Sequence, residues 1–287
     1  MSSLTSNKRF VTALMISPSI LTTIFVLIIP MLVIIGYSFL ERGPYGGVLL
    51  NFSLDSYKEL FRPVYLPVFI NSLKMSGVST IITLLVAYPI AYYMAIKRPD
   101  RAGLLLALLI IPFWIDFMIR MSSWMVLLGR NGTINETLEW FGIISEPLRL
   151  IGTYPAVVVG MTYAFLPTAV LPIYAVLKGL DKRLLEAADD LGANPVKSFL
   201  RITLPLSLPG VLAAIFFVFV PAMGVYAIPV LLGGGKSIIL GNLIVQLFLD
   251  FRNMPLGAAL SVLLLVISLV VITLYMSALR KIEESHK

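Results

Sequence analysis

The chain has 287 residues, 59% of them hydrophobic and only 13% charged, and a mean hydropathy of +0.95, which is the composition of an integral membrane protein rather than a soluble domain. With no cysteine and one histidine, His286, it excludes disulfide frameworks, thiol chemistry, Ser-His triads and Cys/His zinc motifs. The formal charge of +7 sits beside apolar runs and not in a stripe interleaved with exposed aromatics, so it reads as membrane topology and not as nucleic-acid binding.

A helix needs about 20 apolar residues to cross the hydrocarbon core, and six stretches provide them: 10–40, 75–96, 104–128, 154–177, 211–232 and 256–279. The expectation is an all-α membrane fold of six transmembrane helices forming a single domain over residues 1–287, since no repeat or linker is visible. Lys8 and Arg9 precede the first stretch like a signal peptide, but the apolar run is too long and lacks a small-x-small cleavage site, so it reads as a retained anchor. Between the first two spans, "SLDSYKELF" (53–61) looks like a short amphipathic helix.

Prolines at 30, 89, 112, 167, 172, 221 and 229 punctuate the spans. Each removes a backbone donor; they serve either ordinary packing or bent helices lining a cavity. The third span carries two charges, Asp116 and Arg120, four residues apart and so on one face of a continuous helix. A lone charge at bilayer depth costs about 2.5 to 3.5 kcal/mol on insertion scales. The two either neutralise each other, with Arg120 reaching outward, or Asp116 attracts a cation with Trp114, Phe113, Tyr88 and Tyr92 supplying ring faces. Next, "TINETLEWFGIISEPLRL" (133–150) has Thr133 and Glu136 at capping-box spacing and Ile134, Leu138, Phe141 and Ile144 near helical period, predicting a helix lying at the membrane surface.

Between the fourth and fifth spans lies a polar loop, residues 178–209. Its first part is strongly helical, with Leu184, Leu185, Ala188 and Leu191 on one face; Gly192 supplies a C-cap, and Pro195 restarts a helix. A helix, sharp turn and helix of this build fits protein docking, or a plain hairpin joining two spans. The later "LLGGGKS" (231–237) imitates the end of a phosphate-binding loop, but Val230 stands where the first glycine is required and no parallel-sheet context surrounds it. If the N-terminus is cytoplasmic, thirteen lysines and arginines fall on the inner side and seven on the outer, with Lys74 and Arg120 at or within spans. That bias predicts both termini inside and the 178–209 loop in the cytoplasm.

The loop also carries a motif. Glu186, Ala187 and Ala188, then three residues, Gly192, then nine, Ile202, then one, Leu204 and Pro205 resemble the EAA signature of bacterial ABC importer permeases of the binding-protein-dependent, MetI-like type. The resemblance implies that this loop is the coupling element that inserts into a cleft on an ATP-binding subunit. It implies two copies of that subunit, a second permease and a periplasmic substrate-binding protein as partners. It also implies an inner-membrane location, and a chain that is a transport subunit and no enzyme, with no metal or cofactor of its own and ATP on the partner. The stretches "AYPIAYYMA", "IPFWIDFMIR", "NGTINETLEWFGII", "PAMGVYAIPVLLGGGK" and "GNLIVQLF" are similar to permeases of the spermidine/putrescine importer group, its first permease above all. Related importers for iron, thiamine, phosphonates and opines share much of that pattern, so the solute class stays open at this point. Arg120 falls on an arginine that recurs in such permeases after "PFW", implying a structural or gating role. A secondary transporter would have only Asp116 and Arg120 as coupling charges, and no HExxH, GxSG or GxGD string supports an intramembrane enzyme.

Overall fold

The structure, a computed structural model, describes residues 15–235 and 238–285. Residue 10 as the start of the first span, the charges Lys8, Arg9 and Lys287 used for orientation, Lys236 and Ser237 of the glycine-rich loop, and His286 lie outside the described residues. Contacts group the chain into two compact units: residues up to Pro63 with Ile244–Leu265, and Val64–Leu243 with the residues from Val266 onward.

In the first unit, helix α1 (Met15–Ser38) is uncharged and mostly apolar, and none of its side chains before Ser38 is buried. A π-turn at Ile24–Ile28 precedes Pro30; the missing proline N–H is absorbed by that locally wider turn. Two short antiparallel strands follow, β1 (Leu40–Arg42) and β2 (Val48–Phe52). Gly46 and Gly47 turn between them at φ +93° and +80°, where only glycine sits without strain. The amphipathic segment expected at 53–61 is α2 (Asp55–Leu60). The Tyr57 hydroxyl meets Ser38 Oγ at 2.8 Å, tying α2 to the end of α1. Lys58 donates to the Asp55 carboxylate at 3.0 Å and holds that group below its usual pKa, with Ser53 assisting.

The second unit is built on three long helices: α3 (Leu66–Lys97), α7 (Tyr154–Lys178) and α9 (Pro195–Gly224). They pack through small side chains. Ala87, Ala91 and Ala95 of α3, Ala169 of α7 and Ala214 of α9 share one core cluster. A methyl group on Gly210 would stand 2.8 Å from the Pro172 carbonyl oxygen, so glycine is what lets α9 approach α7. A second cluster gathers Met75, Met121, Met161, Ala222, Ile228 and Leu232. Since Met75 and Ala87 are twelve residues apart on α3, the two clusters are stacked along the bundle at different depths, roughly 18 Å apart.

The remaining helices are α4 (Pro99–Trp114), α5 (Phe117–Leu127), α6 (Thr133–Trp140), α8 (Lys182–Asp190), α10 (Ala227–Gly233), α11 (Leu240–Leu249) and α12 (Met254–Ser285). Among the described residues five helices are long and apolar enough to cross a membrane, or six if the bent pair α4 and α5 is one span. The expected spans at 154–177 and 256–279 fall within α7 and α12. Three others change. The second begins at Leu66, nine residues before the expected 75. The third is not one continuous helix: it bends by 94° between Trp114 and Phe117, where Pro112 withholds a donor and Ile115 is extended. The fifth runs from Pro195 to Gly224, and residues 227–233, expected at its end, form the separate α10. The second half of the 178–209 loop is therefore the beginning of a spanning helix. On α6 the N-cap is Gly132 and not Thr133, and no capping box forms. Gly132 is packed against the carbonyls of Val126 and Leu127, where a side chain has no room, so the helix start is fixed there by tertiary contact.

Candidate functional site

The hairpin between α7 and α9 is defined by local hydrogen bonds. Asp181 caps α8, its Oδ1 accepting from the Arg183 N–H at 3.0 Å. At the other end the Gly192 N–H donates to the Asp189 carbonyl at 2.8 Å and the Ala193 N–H to the Ala188 carbonyl at 2.9 Å. With Gly192 at φ +76° this is a Schellman motif. A side chain at Gly192 would meet open space, so the glycine is required by backbone conformation and not by crowding. Asn194 then caps α9, its Oδ1 accepting from the Lys197 N–H at 2.8 Å, and Pro195 occupies the first turn.

The motif residues divide by exposure. Glu186, Ala187 and Gly192 are exposed; Ala188 is buried; Ile202, Leu204 and Pro205 are half-buried in α9. On the apolar face Leu185 is half-buried, but Leu184 and Leu191 are 46% and 88% exposed, which leaves apolar surface next to the acidic Glu186, Asp189 and Asp190. The root of the hairpin is wedged into α3. Phe199, in a π-turn spanning Phe199–Thr203, meets the rings of Tyr88 and Tyr92 edge-on at 5.6 and 5.8 Å. The Tyr88 hydroxyl and Ser207 Oγ are 2.8 Å apart.

Tyr88 and Tyr92 thus belong to the core cluster at the hairpin end, and they do not join the Asp116 and Arg120 region. There the helix break makes Asp116 the N-cap of α5. Its Oδ1 accepts from the N–H groups of Met118 at 2.8 Å and Ile119 at 3.3 Å. Asp116 and Trp114 are exposed, Trp114 at 84%. No ion pair joins Asp116 to Arg120 among the described residues, so the helix face expected of a continuous span and the self-neutralising alternative do not form. The carboxylate is taken up by backbone donors at the bend, and Arg120 turns into aromatic rings: its guanidinium carbon is 4.4 Å from the Phe113 centroid, 5.8 Å from Phe117 and 6.0 Å from Tyr163. Arg120 Nε and Nη1 are buried with no hydrogen-bond acceptor among the described residues. Cation–π contact offsets part of that cost, and water or another group that supplied acceptors there would offset more.

Sequence reasoning missed Phe199, Ser207 and Asn135. Asn135 is 1% exposed; its Nδ2 donates to the carbonyls of Gly129, Arg130 and Leu148, and its Oδ1 accepts from the Leu148 N–H at 2.9 Å. A polar side chain on the inner face of a short amphipathic helix, just after two glycines, was the available signal.

Comparison with known proteins places the chain. No family model matches it. The spermidine/putrescine transport system permease protein PotB of Haemophilus influenzae is 42% identical over 255 residues, covering 89% of each chain. PotB of Escherichia coli is 41% identical over 253 residues, covering 88% of this chain and 92% of its own length. The inner membrane ABC transporter permease protein YdcU of Escherichia coli is more distant, at 28% over 251 residues. Among solved structures, a bacterial alginate ABC transporter in complex with an alginate pentasaccharide-bound periplasmic protein aligns with a TM-score of 0.77 at 18% identity, over 96% of both chains. At that identity the likeness concerns the fold alone, which is that of an ABC transporter permease. With two fifths of its residues identical across nearly nine tenths of both sequences, the chain belongs to the PotB family of spermidine/putrescine transport system permease proteins.

Proposed function

We propose that the chain is a permease subunit of an ATP-driven importer of polyamines, spermidine and putrescine, in the bacterial inner membrane. The chain works beside a second permease, on two copies of an ATP-binding subunit, and receives solute from a periplasmic binding protein. ATP stays on the partner, and this chain holds no cofactor. Both termini and the α8 hairpin are cytoplasmic.

The observation that carries the reading is the hairpin itself: capped at every helix end, presenting Glu186, Ala187 and Gly192 with the exposed Leu184 and Leu191, and continuous with a spanning helix. A rigid knob of this kind transmits displacement, because its ends are held by local hydrogen bonds and its root by Phe199 between Tyr88 and Tyr92. Closure of the ATP-binding subunits moves Glu186–Gly192; Ile202, Leu204 and Pro205 carry the motion into α9, and Tyr88 and Tyr92 pass it to α3. Along the solute path, Asp116 offers a carboxylate to a cation at the helix break, with Trp114 beside it, and Arg120 sets the aromatic wall behind it. A helix break at membrane depth is where transporters expose backbone and charge to a solute.

The test is reconstitution of the chain with the subunits that co-purify, followed by ATPase measurement with candidate binding proteins. Stimulation by a spermidine- or putrescine-loaded binding protein is expected. Stimulation only by an iron-, thiamine-, phosphonate- or opine-loaded one would replace the polyamine, and transport by the isolated chain would refute the ATP-driven reading.

A further inference from the structure

We infer that the surface formed by α5, α7 and the loops at their ends is a binding site for an anionic phospholipid. Two adjoining cavities carry it. The first, of about 550 Å³, is lined by Arg130 and Arg149 above an aliphatic floor of Leu128, Leu150 and Ile151. The second, of about 460 Å³, is a groove running down α7 from Tyr154 through Val159 to Leu166, walled by Trp124 of α5 and by Val78 and Ile82 of α3. Its lining is apolar apart from the hydroxyls of Tyr154, Tyr163 and Thr162. The two are consecutive along the same elements. Trp124 and Leu128 are one turn apart on the same helix face, and Ile151 lies three residues before Tyr154.

The order of chemistry along this surface is that of a lipid. Twelve residues from Tyr154 to Leu166 span about 18 Å of helix, close to one leaflet of a hydrocarbon core about 30 Å thick. Arg130 and Arg149 stand just past the ends of α5 and α7, at headgroup level, where guanidinium groups bind phosphate in bidentate fashion. Neither arginine forms an ion pair among the described residues, with Glu136, Glu139 and Glu146 all nearby in sequence. Asn135 fixes the spacing of the two, since its single buried amide bonds the segment 129–130 to Leu148. Exposed Trp140, Phe141 and Ile143, at 80%, 63% and 67%, mark the same level as an interfacial belt. A soluble anion would use the arginines but leave the groove empty, and a protein carboxylate would do the same; a phospholipid uses both.

The experiment is native mass spectrometry of the full chain with its co-purifying subunits, delipidated and then titrated with palmitoyl-oleoyl phosphatidylglycerol or the corresponding phosphatidylcholine. One tightly retained phosphatidylglycerol per chain is expected, favoured at least threefold over phosphatidylcholine. Arg130→Gln with Arg149→Gln should lower its occupancy at least tenfold, as should Val159→Trp, which fills the groove. Arg130→Lys with Arg149→Lys, keeping charge, should retain most of it and separates recognition from folding. Excess inorganic phosphate should not displace the lipid. Unchanged occupancy in the glutamine pair and in Val159→Trp would overturn the proposal. So would displacement by inorganic phosphate, which would make the arginines a free-anion site. Loss of a companion permease from Val159→Trp with lipid occupancy intact would overturn it too, making the groove an intersubunit face. Polyamine uptake does not enter these readouts, so they fail or succeed apart from the transport reading.

Discussion

The α8 hairpin and the α4–α5 break both carry charge next to hydrocarbon, but they handle it in opposite ways. In the hairpin the helix ends are closed within a few residues, by Asp181, Gly192 and Asn194, and the acids Glu186, Asp189 and Asp190 face out. At the break Asp116 is satisfied locally, but Arg120 depends on rings from α4 and α7 and still leaves two nitrogens without acceptors among the described residues. A locally closed element moves as a body, whereas an unsatisfied one responds to whatever supplies its missing partners. Under the proposed function the hairpin would transmit motion and the break would respond to the solute.

Substitutions can break or sharpen this contrast. The largest effect is expected in the hairpin. Gly192→Val places a β-branched residue in the left-handed region, costing on the order of 1–2 kcal/mol locally or more, and Glu186→Trp puts bulk on the docking face. Both should cut polyamine uptake in reconstituted vesicles at least tenfold, while membrane insertion and the amount of protein stay normal; normal uptake in both would remove the hairpin from the docking role. At the break, Asp116→Asn is the sharper probe, because asparagine caps a helix about as well as aspartate. It should leave thermal stability unchanged and lower kcat/KM for a polyamine roughly tenfold, the effect of about 1.4 kcal/mol. Unchanged transport kinetics would make Asp116 a cap only. Asn135→Ala strands buried backbone groups of Gly129, Arg130 and Leu148, at about 1–3 kcal/mol, seen as a lower Tm in detergent with a smaller loss of uptake. The smallest effect is expected between the two regions: Tyr88→Phe removes only the bond to Ser207, worth about 0.5–1.5 kcal/mol. It should raise the ATP hydrolysed per polyamine transported by a few-fold, leaving binding-protein affinity alone.

The same contrast explains what could be read from residues alone. Hydropathy locates the spanning helices because the bilayer sets their length, and α7 and α12 lie where expected. Gly192 and Pro195 announce the hairpin turn because capping chemistry is local. The bend after Trp114 is different: Pro112 is visible in the sequence, but the 94° turn depends on Asp116 preferring the N–H groups of Met118 and Ile119 to the guanidinium four residues on. The continuity of α9 through residue 211 was hidden because the polar Lys197–Arg201 stretch is helical outside the apolar run. Gly132 replaced Thr133 as a cap through packing against Val126, a contact no spacing rule registers. Tyr88 and Tyr92 looked like partners for Asp116 because both tyrosines are aromatic and within a span, yet they lie a core cluster away, against Phe199.

Because the chain has no cysteine, Ala187→Cys introduces a single thiol on the exposed face of α8. Short bifunctional cross-linking from that thiol in membranes containing the whole transporter tests the central claim directly. The account predicts one dominant product, joining the chain to the ATP-binding subunit and changing in yield with nucleotide. A thiol that forms no such product, but reacts with a membrane-impermeant maleimide added to intact cells, would contradict it.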